Sequence, residues 1–179
     1  MELSERQKGL LNKRIIKIYG EIDGHMVDYV RECLETLIIS GSPKITVIFS
    51  SYGGNIISGL AIYDLLILYK GKIIGRAINF CHSTAIFCLQ ACDAKEASRH
   101  SSLLAHNLLG NKVKLDLLLN KKRRKKYIAN LKRQQKLMND IFLKKTKFKN
   151  IEELKKFLAK NKVITAKKAK KLGLIDKII

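Results

Sequence analysis

The sequence predicts an α/β fold, and three observations predict it. Short β-branched runs stop at Gly, Ser or Pro, apolar residues recur at helical spacing between those runs, and a long charged, helix-favouring stretch follows residue 110. At 179 residues the chain fits one domain, 1–179, because that length can bury a single core. Apolar residues make up 46% of it in periodic blocks, which excludes a disordered polyelectrolyte.

Ile15 to Tyr19 reads as a first strand ended by Gly20. Met26, Tyr29, Val30, Cys33 and Leu37 then share one helical face. After Pro43, Ile45 to Phe49 is typical of a strand buried on both faces, and it stops at Ser50-Ser51-Tyr52-Gly53-Gly54. A helix through Ile57, Leu60, Ala61, Leu65 and Leu66 follows. Lys72 to Ile78 is a third strand and Thr84 to Cys92 a third helix, with Ser83 at their junction, and Leu103 to Ala105 delivers His106 from a further short strand. Beyond Gly110, apolar positions such as Leu115, Leu119, Ile128, Leu131, Met138 and Phe142 mark one long helix or two. Helices over Ile151–Ala159 and Ala166–Leu172, the second capped by Gly173, and a final strand near Ile175 to Ile178 complete the chain.

Composition narrows the function. Cys33, Cys81, Cys88 and Cys92 lie in apolar stretches without the spacing of a secreted disulfide framework, so a reducing compartment is expected. Cys88 and Cys92, one turn apart, could join His82 or His100 on a metal, but no CxxC pair supports this, and neither metal nor cofactor is expected. Met-Glu-Leu-Ser-Glu-Arg carries no signal-peptide or transit pattern, and the longest uncharged stretch, Ala77 to Cys92, is too short and too polar to span a bilayer. A cytoplasmic protein is expected, or one in a plastid-type organelle. The net charge of +21 raises a nucleic-acid-binding module as a rival. From Asn111 onward there are 24 Lys and Arg against 5 Asp and Glu, 19 of the 21 net charges, yet few aromatics interleave and no nucleic-acid-binding signature appears. A solvated lysine face accounts for the excess.

The chemistry-bearing pattern is an apolar strand ending in Ser-x-Gly-Gly, a serine at a strand-to-helix junction, and a histidine ending the next strand. In parallel α/β folds the carboxyl ends of strands form the ligand crevice, and right-handed crossovers put both groups on one sheet edge. Glycines let the backbone turn so that an N–H can face a developing oxyanion. Gly54 and the Thr84 N–H are the candidate donors, Ser83 the candidate nucleophile and His106 its base.

Ser51-Tyr52-Gly53-Gly54-Asn55, Gly59-Leu60-Ala61-Ile62-Tyr63-Asp64, Phe80-Cys81-His82-Ser83-Thr84-Ala85, Ser102-Leu103-Leu104-Ala105-His106-Asn107 and the block from Ile164-Thr165-Ala166 to Asp176 closely resemble the conserved blocks of the Clp protease proteolytic subunit (ClpP) family. The resemblance covers nearly the whole chain. It implies ClpP/crotonase-like stacked β-α-β units with a long protruding handle helix: a head over 1–110, a basic handle over about 111–150 and the rest of the head over about 151–179. It also implies a serine endopeptidase that cleaves unfolded polypeptides through an acyl-enzyme, with Gly53 and Asn55 in the substrate groove. The subunits would form homo- or hetero-oligomeric heptameric or tetradecameric rings fed by an AAA+ unfoldase.

Departures from the family pattern qualify these expectations. Counting back from Thr165-Ala166, the third triad position falls on Asn161 rather than aspartate, which predicts weakened activity or, alternatively, an impaired structural ring subunit like the family's ClpR-type paralogues. Tyr52 and Leu108 replace prolines, His82 replaces a small residue and is expected in a core or interface role, and the N-terminal arm is short. The run Lys121 to Lys126 falls on the handle, where like charges would repel across a symmetric interface. A crotonase-type acyl-CoA enzyme has no acid/base pair here beyond the same Ser and His.

Overall fold

The computed structural model describes residues 3–109, 117 and 119–179. Residue 110, the last of the expected head, and residues 111–116 and 118 of the expected handle lie outside the described residues.

Helix α1 (Glu5–Asn12) opens the chain, held by a reciprocal capping box between Ser4 and Gln7. It is followed by β1 (Ile15–Ile22), α2 (Gly24–Ile39), β2 (Ile45–Gly54), α3 (Ile56–Leu68), β3 (Ile73–His82) and α4 (Thr84–Leu89). Then come β4 (Ala94–Ala97), β5 (Ser102–Leu104), the 25-residue α5 (Lys121–Lys145), α6 (Ile151–Ala159), β6 (Ile164–Thr165), α7 (Ala166–Leu172) and β7 (Lys177–Ile178). The sheet runs β1-β2-β3-β4-β7 with all neighbours parallel, as β-α-β crossovers require. Ile16, Ile18, Val47, Phe49 and Ile73 are fully or almost fully buried in it, and the core cluster extends from Leu3 to Ile175. Side-chain caps start the crossover helices: Asp23 accepts from the Met26 N–H and Asn55 from those of Ile57 and Ser58.

One strand positions the site. The first half of β3 pairs with β4 through Ala77, whereas its second half pairs with β5, aligning Phe80 with Ser102 and His82 with Leu104. Asn79, between the halves, has φ 62°, a left-handed conformation that asparagine tolerates better than most residues. The Ser101 hydroxyl donates to the Ala77 carbonyl at 3.0 Å, tying the strand leading into β5 to this bend. β6 then pairs antiparallel with β5.

The structure extends several expected elements and adds three. β1 continues past Gly20 to Ile22 through a register shift, β3 reaches His82, and the third helix ends at Leu89 rather than Cys92. The added elements are α1, β4 and the two-residue β6. β4 reads Ala-Lys-Glu-Ala, with no β-branched residue, because its charges are paired at long range. Arg76 donates twice to the Glu96 carboxylate, and the buried Lys95 ammonium donates to Gln90 Oε1 and to the Lys145 and Gly173 carbonyls. Burial pushes the Lys95 pKa down while Asp176 pulls it up. No helix among the described residues is long and apolar enough to cross a membrane.

Candidate active site

Ser83 follows β3 directly and precedes α4. Its backbone holds φ 55° and ψ −122°, a conformation that L side chains rarely adopt, and its N–H donates to the Leu104 carbonyl at 2.7 Å. The Ser83 hydroxyl makes no capping bond to α4, so the common use of a serine at a helix start is not its role here.

The Gly53-Gly54 turn lies against this junction. A Cβ on Gly53 (φ 97°) would come within 2.7 Å of Ser83 Cβ and 2.9 Å of the Thr84 nitrogen, and one on Gly54 would strike the Ile22 backbone at 2.4 Å. The Gly53 N–H donates to Ser51 Oγ at 3.0 Å, and Thr84 Oγ1 donates to the Gly54 carbonyl at 3.0 Å, locking turn and junction together. Gly59 is similarly required, since a Cβ there would overlap the Thr84 methyl.

His106 leaves the sheet two residues after β5, half-buried. Its Nδ1 lies 2.6 Å from the Asn107 carbonyl oxygen. A carbonyl only accepts, so Nδ1 is the donor of this bond, and in the neutral imidazole Nε2 then keeps its lone pair, the state a general base needs. The loop is fastened to α5 by the Leu108 N–H, which donates to Gln135 Oε1 at 2.7 Å, and Gln135 in turn donates to Asn139. Sequence reading did not single out Gln135, because only the folded position of α5 shows which of its polar side chains meets the loop.

Ser83, His106, Gly54, Asn55 and Thr84 line one cleft of about 820 Å³. Asn55 is exposed there, with its side-chain oxygen engaged in capping α3. Asn161 does not line the cleft. It follows α6 with φ 44°, exposed, its N–H donating to the Leu158 carbonyl. His82 is 9% exposed, bonds Ser102 Oγ through Nε2 at 2.9 Å and meets Tyr52 edge-on. Burial pushes the His82 pKa down, with the nearby His106 acting in the same direction. Tyr52 itself is exposed and stacks on Phe80 at 3.8 Å.

The cysteines form no metal site: all four are free and buried, and no group of His, Cys, Asp and Glu among the described residues could hold an ion. Burial pushes the Cys33 thiol up to about 11 and raises those of Cys81, Cys88 and Cys92, so none is poised as a nucleophile. A second hollow of about 500 Å³, between α1 and the β1–α2 connection, holds neither the serine nor His106.

A strained serine, a half-buried imidazole and a double-glycine turn opening on one cleft are the parts of an acyl-transfer site. The model of one protein family, described as Clp protease, matches residues 2–179. That match spans the sheet, the Ser83 junction and the His106 loop alike, and the chain therefore belongs to the Clp protease family.

Proposed function

We propose that this chain is the serine endopeptidase subunit of a Clp-type, self-compartmentalising protease, folded as one domain whose handle carries α5. The observation that carries the reading is Ser83: its backbone is strained, its hydroxyl is not spent on α4, and it opens on the cleft that holds His106. His106 Nε2 takes the proton as Ser83 Oγ attacks the peptide carbonyl, and the N–H groups of Gly54 and Thr84 receive the oxyanion. The imidazolium then protonates the leaving amine, and water, deprotonated by the same imidazole, releases the acyl group. Gly54 and Asn55 border the path of the substrate main chain, and the buried Gly53 holds the turn against the Ser83 junction. The Asn107 carbonyl holds the imidazole in its working tautomer, the task that the family pattern gives to a third side chain at Asn161.

A carbonyl orients an imidazole without offsetting imidazolium charge, so turnover is low for a serine peptidase. In a trypsin-type triad, replacing the aspartate by asparagine costs about 10⁴ in turnover. The same lack of a carboxylate favours the second reading, a structural ring subunit without catalysis. In either case the assembly is a homo- or hetero-oligomeric ring, heptameric or tetradecameric, served by an AAA+ unfoldase in a reducing compartment, cytoplasmic or plastid-type. Hydrolysis of unstructured fluorogenic peptides by the purified assembly tests the choice. Turnover that disappears in Ser83→Ala and in His106→Ala is the expected result, and equal turnover in Ser83→Ala would refute the assignment.

A further inference from the structure

The wall of the cleft opposite the Ser83 junction comes from α5, which presents Tyr127, Asn130, Leu131, Gln134 and Met138 at helical spacing. Eleven of the 25 residues of α5 are Lys or Arg, yet none of them, and no other described Lys or Arg, lines the cleft. The wall is thus neutral, mixing hydrogen-bonding groups with two apolar side chains. Within it, the Tyr127 hydroxyl is shut off from solvent and has no hydrogen-bond partner among the described residues, alone in this among the described side chains. A buried hydroxyl without a protein partner is costly, and a water or a ligand group that reaches it relieves that cost.

Resting on the peptidase reading, we infer that Tyr127 is a specificity-determining residue, whose hydroxyl bonds an uncharged hydrogen-bonding substrate side chain of the Asn, Gln, Ser or Thr class. The substrate main chain runs along Gly54 and Asn55 past Ser83, so it is a side chain that reaches across to α5. Asn130 and Gln134, three and seven residues on, offer further donors and acceptors on the same face. A site built to hydrogen-bond a substrate group discriminates strongly against the isostere that lacks it, because its own polar group is then left unpaired.

The test uses the assembled full-length protein and matched fluorogenic peptides that exchange Thr for Val, or Asn for Leu, at each position flanking the scissile bond. At one position kcat/KM favours the polar member by about ten-fold. In Tyr127→Phe the preference falls to about two-fold or less, because the rate on the polar member falls more than the rate on the apolar one. Anisotropy binding of the same peptides to Ser83→Ala, with and without Tyr127→Phe, separates this inference from hydrolysis itself. Tyr127-dependent preference in binding, combined with a Ser83-containing parent that hydrolyses none of the peptides, would sustain the inference and refute the peptidase. Hydrolysis without preference, equal loss on every peptide in Tyr127→Phe, or no peptide binding at all would overturn it. The ligand-free Tyr127→Phe protein melts no lower than the parent, since it loses no protein hydrogen bond. A clear drop in Tm would reveal an internal partner and also overturn the inference.

Discussion

Ser83 keeps a backbone conformation that costs a non-glycine residue about 1–3 kcal/mol, and the folded chain imposes it from three sides. Its own N–H is held by Leu104, the Gly53 turn packs against its Cβ, and the following Thr84 is bonded to Gly54. Beside it, His82 shows how the same crowding sets a titration. Burial holds the His82 pKa below the ordinary 6.5, and His106 acts in the same sense. The unfolded chain therefore binds this proton more readily than the folded one, so the contribution of His82 to stability is whole above pH 6.5 and is lost as pH falls toward the lower folded value. Thermal melts of the parent and of His82→Gln from pH 8 to pH 5 check this. The parent loses Tm on the acid side more steeply than the variant, whereas parallel profiles would show that His82 does not titrate against folding.

At the scale of elements, the site depends on how α5 grips the loop after β5. Gln135→Ala removes the acceptor of the part-buried Leu108 N–H and loosens the loop that carries His106. The expected cost is about 1–2 kcal/mol in stability. Because a small misplacement of a base is amplified in rate, kcat falls about ten-fold or more with KM little changed. A variant equal to the parent in both would show that the loop is held elsewhere. Elements with local signals were legible in the sequence: the β-branched run of β2, the double glycine that ends it, the β3–Ser83 junction and the short strand before His106. β4 was not, because Lys95 and Glu96 become strand residues only through Arg76, Gly173 and Asp176, which are distant in sequence. Of the cleft-lining face of α5 only Leu131 and Met138 were legible, by their apolar spacing, whereas Tyr127, Asn130 and Gln134 carry no such signal. Asn161 was placed by alignment to a family pattern, and the bond that orients His106 comes from the main chain next to it, which no side-chain motif encodes.

Over the whole molecule, charge and chemistry are kept apart. The basic residues crowd α5 and the C-terminal third, yet the cleft that crosses from the sheet edge to α5 is lined by no described Lys or Arg. Among the described residues, the basic excess therefore lies away from the cleft. The peptidase reading requires that one serine among several be activated by the fold. Exposure of the assembled protein to a fluorophosphonate, followed by intact and peptide mass spectrometry, measures that activation. One adduct per active chain, on Ser83, is expected, and its loss in His106→Ala. A folded assembly that stays unlabelled, or that is labelled at another residue, would contradict that reading.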